Sequence, residues 1–159
     1  MNYLCVLIAV KDMEKAKQFY HDVLDLDVIE DLGANVTLTG GIALQTVDTW
    51  KKFIHKQDSE IIFQHNAAEL YFEEDDMDSF INKLNNFKDI VYVHPLAEHP
   101  WGQRAVRFYD LDKHIIEVGE NMAKVIKRFL DSGLSIEETA VRMDVPVDYI
   151  KASLKLHGN

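Results

Sequence analysis

The chain has 159 residues, 47% of them apolar and 28% charged, and a formal net charge of −10. That length suits one domain with a small appendage, and that composition excludes a disordered or collagen-like chain. The acidic surplus argues against holding a nucleic-acid backbone or an anionic membrane, and the single cysteine, Cys5, excludes an internal disulfide framework and a CxxC zinc site.

In chain order, Tyr3 to Val10 reads as a buried strand, and Asp12 as the N-cap of a helix carrying Met13, Ala16, Phe19, Tyr20 and Val23 on one face. Asp25 to Asp31 is a short strand, Asn35 to Thr39 a half-buried one, and Gly40-Gly41 a hairpin signal before the strand Ile42 to Thr46. Residues 47–66 form a polar connector with a short helix near Thr49 to His55. Glu69 to Glu73 is then a strand, and Asp76 caps a helix with Met77, Phe80, Ile81 and Leu84 on its apolar face. Ile90 to His94, Arg104 to Tyr109 and His114 to Gly119 complete the strands, with a loop at His99-Pro100-Trp101-Gly102. The longest apolar run, Leu4 to Val10, is too short to span a bilayer, and the start lacks a signal peptide's basic segment and long apolar core. A cytoplasmic location is expected.

The order β-α-β-β-β thus occurs twice, over about 1–46 and 67–120. Val10-Lys11-Asp12-Met13 aligns with Glu74-Asp75-Asp76-Met77, and Ile42-Ala43-Leu44-Gln45 with His114-Ile115-Ile116-Glu117. The expected fold is α+β: two βαβββ modules forming a curved eight-stranded sheet around a cavity. Residues 121–159 read as a helical C-terminal extension, with Ser135 and Glu138 as a capping box and Val145-Pro146 opening a last helix. The extension is close to neutral, at +1, against −11 for residues 1–120.

Two segments, VKDMEKAKQFYHDVLDLDV and RFYDLDKHIIEVGE, resemble the opening and closing landmarks of the vicinal oxygen chelate superfamily. This is the glyoxalase, bleomycin-resistance and extradiol-dioxygenase group. Leu111 and Lys113 stand where its closing landmark usually has Pro and Gly. The resemblance covers residues 1–120 and implies a cup-shaped small-molecule site, lyase or isomerase chemistry, and pairing into a homodimer. It also implies a divalent metal (nickel, zinc or manganese) as Lewis acid. The metal positions carried over are Cys5, Gln45, Glu69 and Glu117. Neither position that usually holds His does so, and a thiol beside carboxylates and an amide is a chemically mixed set. The competing reading leaves Cys5 in the core and the two carboxylates serving a metal-free pocket; in the enzyme that the resemblance implies, Glu117 and Glu69 are the catalytic carboxyls, Glu117 as base or ligand with Glu69 and Gln45 assisting. A register slip would bring His65 or Asn66 to the place of Glu69.

Strand parity turns Arg107 to one side with Ala105 and Tyr109. It is either an anchor for an anionic ligand or one half of a salt bridge. Gln45, Arg107, Tyr71, Trp101 and His99 are the ligand-binding candidates, the last two on the loop that would cover the cavity. Ser135 to Leu154 is similar to the helix-turn-helix segments of regulators, but few basic residues accompany its last helix, so nucleic acid is not the expected partner. Three functions follow: a glyoxalase-like enzyme, a metal-free binding protein of the bleomycin-resistance kind, and a ligand-responsive regulator.

Overall fold

The computed structural model describes residues 1–157. Eight strands and six α-helices follow in the order β1 (Val6–Val10), α1 (Met13–Leu24), β2 (Val28–Asp31), β3 (Asn35–Leu38), β4 (Ile42–Thr46) and α2 (Val47–Phe53). Then come β5 (Glu69–Glu74), α3 (Met77–Leu84), β6 (Val91–Glu98), β7 (Arg104–Tyr109) and β8 (Ile115–Glu120). The extension holds α4 (Met122–Asp131), α5 (Ile136–Met143) and α6 (Val147–His157). The strands make two four-stranded sheets, ordered β1-β4-β3-β2 and β5-β8-β7-β6, so the repeated module appears as a repeated sheet. Among the described residues no helix is long and apolar enough to cross a membrane.

The described chain divides into two compact units, 1–68 with 109–115, and 69–108 with 116–157. In the first, β1 pairs parallel with β4, and β4 and β2 pair antiparallel with β3. Asp12 caps α1, its carboxylate accepting from the Lys15 backbone N–H, as a short acceptor at N-cap should. The β3–β4 reversal is a single 3-10 turn over Thr39–Gly41, in which Gly40 and Gly41 both take φ of 78°, a region that L side chains rarely adopt.

The two landmark segments meet inside this unit. Tyr20 of α1 is fully buried, and its hydroxyl donates to Asp110 Oδ2 at 2.8 Å. Asp110 also accepts from the backbone N–H groups of Asp112 and His114 and is bonded to the His114 ring. Burial first, then the Asp110 charge, pushes the Tyr20 phenol well above its ordinary range, so it stays a donor. Asp112 in turn accepts from the Lys11 N–H. The turn after β7 is thereby fixed by the strand and helix that open the chain.

In the second unit, Asp76 caps α3 through the Ser79 N–H, and Met77, Phe80 and Leu84 are buried. Helices α4 to α6 form their own core of Val125, Ile126, Ala140, Met143 and Ile150. The Ser135–Glu138 capping box is present.

The boundaries of three strands differ from the sequence reading by three residues or more. β1 begins at Val6, because Tyr3 and Leu4 are 82% and 84% exposed and gain nothing from pairing. β2 begins at Val28, after Asp25 closes α1 in a left-handed conformation. β6 runs on through Pro95 to Glu98, since it lies at a sheet edge where a missing N–H costs no ladder bond.

Tyr20→Phe removes a buried hydrogen bond to a carboxylate. We expect about 1.5–3 kcal/mol of lost stability, read as a lower urea midpoint. An unchanged midpoint would mean that the landmark contact does not hold the turn.

Candidate functional site

The second sheet brings one side chain from each of its four strands together. Arg107 of β7 donates from Nε to Glu69 Oε2 of β5 at 2.9 Å. Its Nη1 lies 3.1 Å from His94 Nε2 of β6, and its Nη2 is bonded to Glu117 Oε2 of β8. A guanidinium only donates, so His94 Nε2 is the acceptor here. The other ring nitrogen, Nδ1, lies 2.8 Å from the Pro95 carbonyl and donates to it, which fixes the neutral tautomer.

This geometry follows from the alternation of β7. Val106 and Phe108 are fully buried on one side, and Arg104, of the same parity, reaches Asp78 of α3. Arg107 therefore points away from α3, where β5 offers its exposed residues Glu69, Tyr71 and Glu73. A cation in that half-buried place needs partners, and β8 beside it and β5 one strand further on supply two carboxylates. Burial alone would lower the Arg107 pKa, but Glu69 and Glu117 more than offset it and hold the group charged.

The two carboxyls are not equivalent. Glu117 has a side-chain exposure of 6%, against 37% for Glu69. Burial, reinforced by its hydrogen bond with Glu69 and opposed by Arg107, raises Glu117 to about 7. The Arg107 bond lowers Glu69 below the ordinary carboxylate range. Of the pair, Glu117 is the carboxyl that keeps its proton longer as pH rises, giving it up at about 7.

The loop between β6 and β7 adds a wall to this patch. The rings of His99 and Trp101 stack with centroids 4.3 Å apart at 14°. Trp101 Nε1 donates to Gln103 Oε1 at 3.2 Å, and Gln103 Nε2 donates to the Tyr71 hydroxyl at 3.0 Å and the Glu120 carbonyl at 2.9 Å. Burial foremost, with the Arg107 charge and His94, lowers the His99 pKa, so this loop lies within electrostatic reach of Arg107. Gly119 makes room: a Cβ there would meet Gln103 Nε2 at 2.9 Å and the Tyr71 ring at 3.1 Å.

Of the residues singled out from the sequence, Glu69, Tyr71, His99, Trp101, Arg107 and Glu117 thus belong to one unit and one patch. The register question is settled by β5, which starts at Glu69, whereas Asn66 bonds Tyr109 and His65 accepts from the Ala67 N–H in the preceding loop. Cys5 and Gln45 belong to the first unit. Cys5 is a half-buried free thiol just before β1. Gln45 is buried with both ends of its amide engaged, accepting from Asn35 Nδ2 at 2.8 Å and donating to Thr49 Oγ1. Two contributors, His94 and Gln103, were not singled out. His94 lay at the expected end of its strand, and its partner is thirteen residues away. The one available signal for Gln103 was its place beside Trp101 in the loop.

As arranged, Glu69 and Glu117 do not fit a divalent cation. The Arg107 guanidinium already stands against both carboxylates, and Gln45 Oε1 is taken by Asn35. Among the described residues no group of three or more His, Cys, Asp and Glu is disposed to hold a metal.

Two sheets of one repeated module and a polar patch on the second define a glyoxalase-type domain. Residues 3–123 match the glyoxalase-like domain family, and the chain belongs to it, within the vicinal oxygen chelate superfamily. A structure of a protein of unknown function from Agrobacterium tumefaciens is 34% identical, with a TM-score of 0.69 over 76% of this chain and 94% of that one. A glyoxalase/bleomycin resistance protein/dioxygenase from Nocardioides shares the fold at 15% identity and a TM-score of 0.62, over 76% and 83%. A glyoxalase-related enzyme from Fulvimarina pelagi does so at 14% and 0.64, over 75% and 87%. No curated protein matches the sequence.

Arg107→Leu should destabilise the protein by about 2 kcal/mol at pH 8, where Glu117, no longer held down by the guanidinium, must either ionise without a counter-charge or take up a proton. At pH 5 the cost should be smaller, because a proton on Glu117 relieves the repulsion. Urea midpoints at the two pH values test this, and an equal loss at both would contradict the coupling.

Proposed function

We propose that the patch around Arg107 is the site of a metal-independent acid–base reaction on a small oxygen-rich carbonyl compound, of the lyase or isomerase kind. The observation that carries the reading is a single guanidinium bonded at once to Glu69, Glu117 and His94. An arginine has five N–H donors, so three bonds leave two for a ligand. Two parallel donors suit two adjacent oxygens, and a fixed cation stabilises an enolate as its charge develops. Glu117, with its pKa near 7, takes the proton alpha to the carbonyl and returns it elsewhere on the substrate. Glu69 holds Arg107 from the other side and biases the shared proton.

One observation favours a second reading, a binding protein without chemistry. The stacked His99 and Trp101 rings offer a flat surface on which a ligand could rest. A nucleic-acid role for the extension gains little support, because Lys124, Lys127, Arg128 and Arg142 are all ion-paired within the chain. The homodimer belongs to the same proposal. Edge strand β2, exposed along its whole length and carrying Val28 and Ile29, is a surface it could use.

The test is proton exchange in D2O with hydroxyacetone and pyruvate, followed by loss of the carbon-bound proton signals. Wild type should accelerate exchange, with a rate that rises through about pH 7 as Glu117 loses its proton. Glu117→Gln should slow it by about 10²-fold or more. Exchange no faster than buffer would leave the binding reading. Exchange unaffected by Glu117→Gln would remove Glu117 as the base.

A further inference from the structure

The helical extension begins where the family match ends, and the residues it sends back toward the second sheet converge on one short stretch. The stretch is Glu98 to Gln103, the turn that carries His99 and Trp101. It is a tight reversal, with His99 N–H bonded to the Gln103 carbonyl and Gly102 N–H to the His99 carbonyl, both at 2.8 Å. From α4, Arg128 Nη2 donates to the Gly102 carbonyl at 2.5 Å and pairs with Glu120 at 3.1 Å. From α5, Arg142 donates to the Pro100 carbonyl and to Glu98 Oε1, the latter at 3.2 Å. Between these arginines sits Phe129, each guanidinium 5.2 Å from its ring centroid. The ring lies on Gly102, which has φ of 91°, and any Cβ there would overlap Phe129.

We propose that Arg128, Phe129 and Arg142 are positioning residues: the extension is a clamp that fixes the 98–103 turn, and so sets the aromatic wall of the site around Arg107. Two features separate this from a cap that merely closes the extension's own core. The buried members of that core are Val125, Ile126, Ala140, Met143 and Ile150, and Phe129, which packs at its margin, also lies against Gly102 of the turn. The arginine donors reach two backbone carbonyls of the turn, which fixes its path without engaging the His99 or Trp101 side chains. The inference rests on the site proposed above but not on the reaction proposed for it.

Trp101 reads the clamp directly. In a Trp50→Phe background its fluorescence reports acrylamide access and, through the stacked ring, protonation of His99. In the wild type the His99 midpoint should lie below the ordinary histidine value, from burial with the Arg107 charge and His94. Arg142→Met and Phe129→Ala should raise acrylamide quenching about two-fold and move the midpoint up toward about 6.5. Arg142→Lys, which keeps a donor, should restore most of the wild-type behaviour. Arg142 is 38% exposed, so its replacement is compatible with a folded protein, checked by circular dichroism. Quenching and midpoint unchanged in folded Arg142→Met and Phe129→Ala would overturn the proposal. The readout needs no turnover, so failure of the exchange reaction leaves it standing.

Discussion

A guanidinium cannot be taken out of water without charge and hydrogen bonds to replace the solvent, and Arg107 is mostly out of water on the open face of the second sheet. That requirement organises everything around it. Glu69 and Glu117 supply charge from β5 and β8, and His94 supplies an acceptor from β6. Because one cation serves two carboxyls, only one of them is fully compensated. Glu117, the more buried, keeps a proton to about neutral pH. The same arithmetic places a positive group against Glu69 and Glu117, two of the four positions that the resemblance implied as metal ligands. A divalent ion and a guanidinium would compete for the same carboxylates.

The rest of the second unit supports that patch. Gly119 leaves room for Tyr71 and Gln103, whose side-chain bonds tie the turn after β6 to β5 and β8. Helices α4 and α5 hold the same turn from the other side through Phe129 and two arginines. The electrostatics of the extension agree. Its near-neutral charge comes from its own six cations and five carboxylates, and two of those cations, Arg128 and Arg142, are turned onto Glu98 and Glu120 of the second sheet. Burial pushes Glu120 up, but Arg104 and Arg128 outweigh it and keep its carboxyl below the usual range.

How much of this was legible depended on range. Local periodicity and caps gave both βαβββ modules, the Asp12, Asp76 and Ser135 caps and the three terminal helices. The family resemblance, carried along the repeat, gave Glu69 and Glu117 in the second module. Parity along β7 gave the direction of Arg107, but not which of its two roles applied, since that depends on cross-strand neighbours. Pro95 read as the end of a strand, because a proline breaks a ladder unless the strand lies at an edge, and edge position is a property of the sheet. His94 was lost with it. The convergence of Phe129 and Arg142 on Gly102 and Pro100 spans dozens of residues and leaves no periodic trace.

Beside a charged Arg107, Glu117 keeps its proton to about neutral pH while Glu69 stays ionised. Carbon-13 resonances of the glutamate side-chain carboxyls, followed from pH 4 to 9, resolve the two groups. One carboxyl should titrate at about 7, assigned to Glu117 by its absence in Glu117→Gln, with a Glu69 midpoint below the ordinary range. A Glu117 carboxyl that has lost its proton by pH 5 would contradict it.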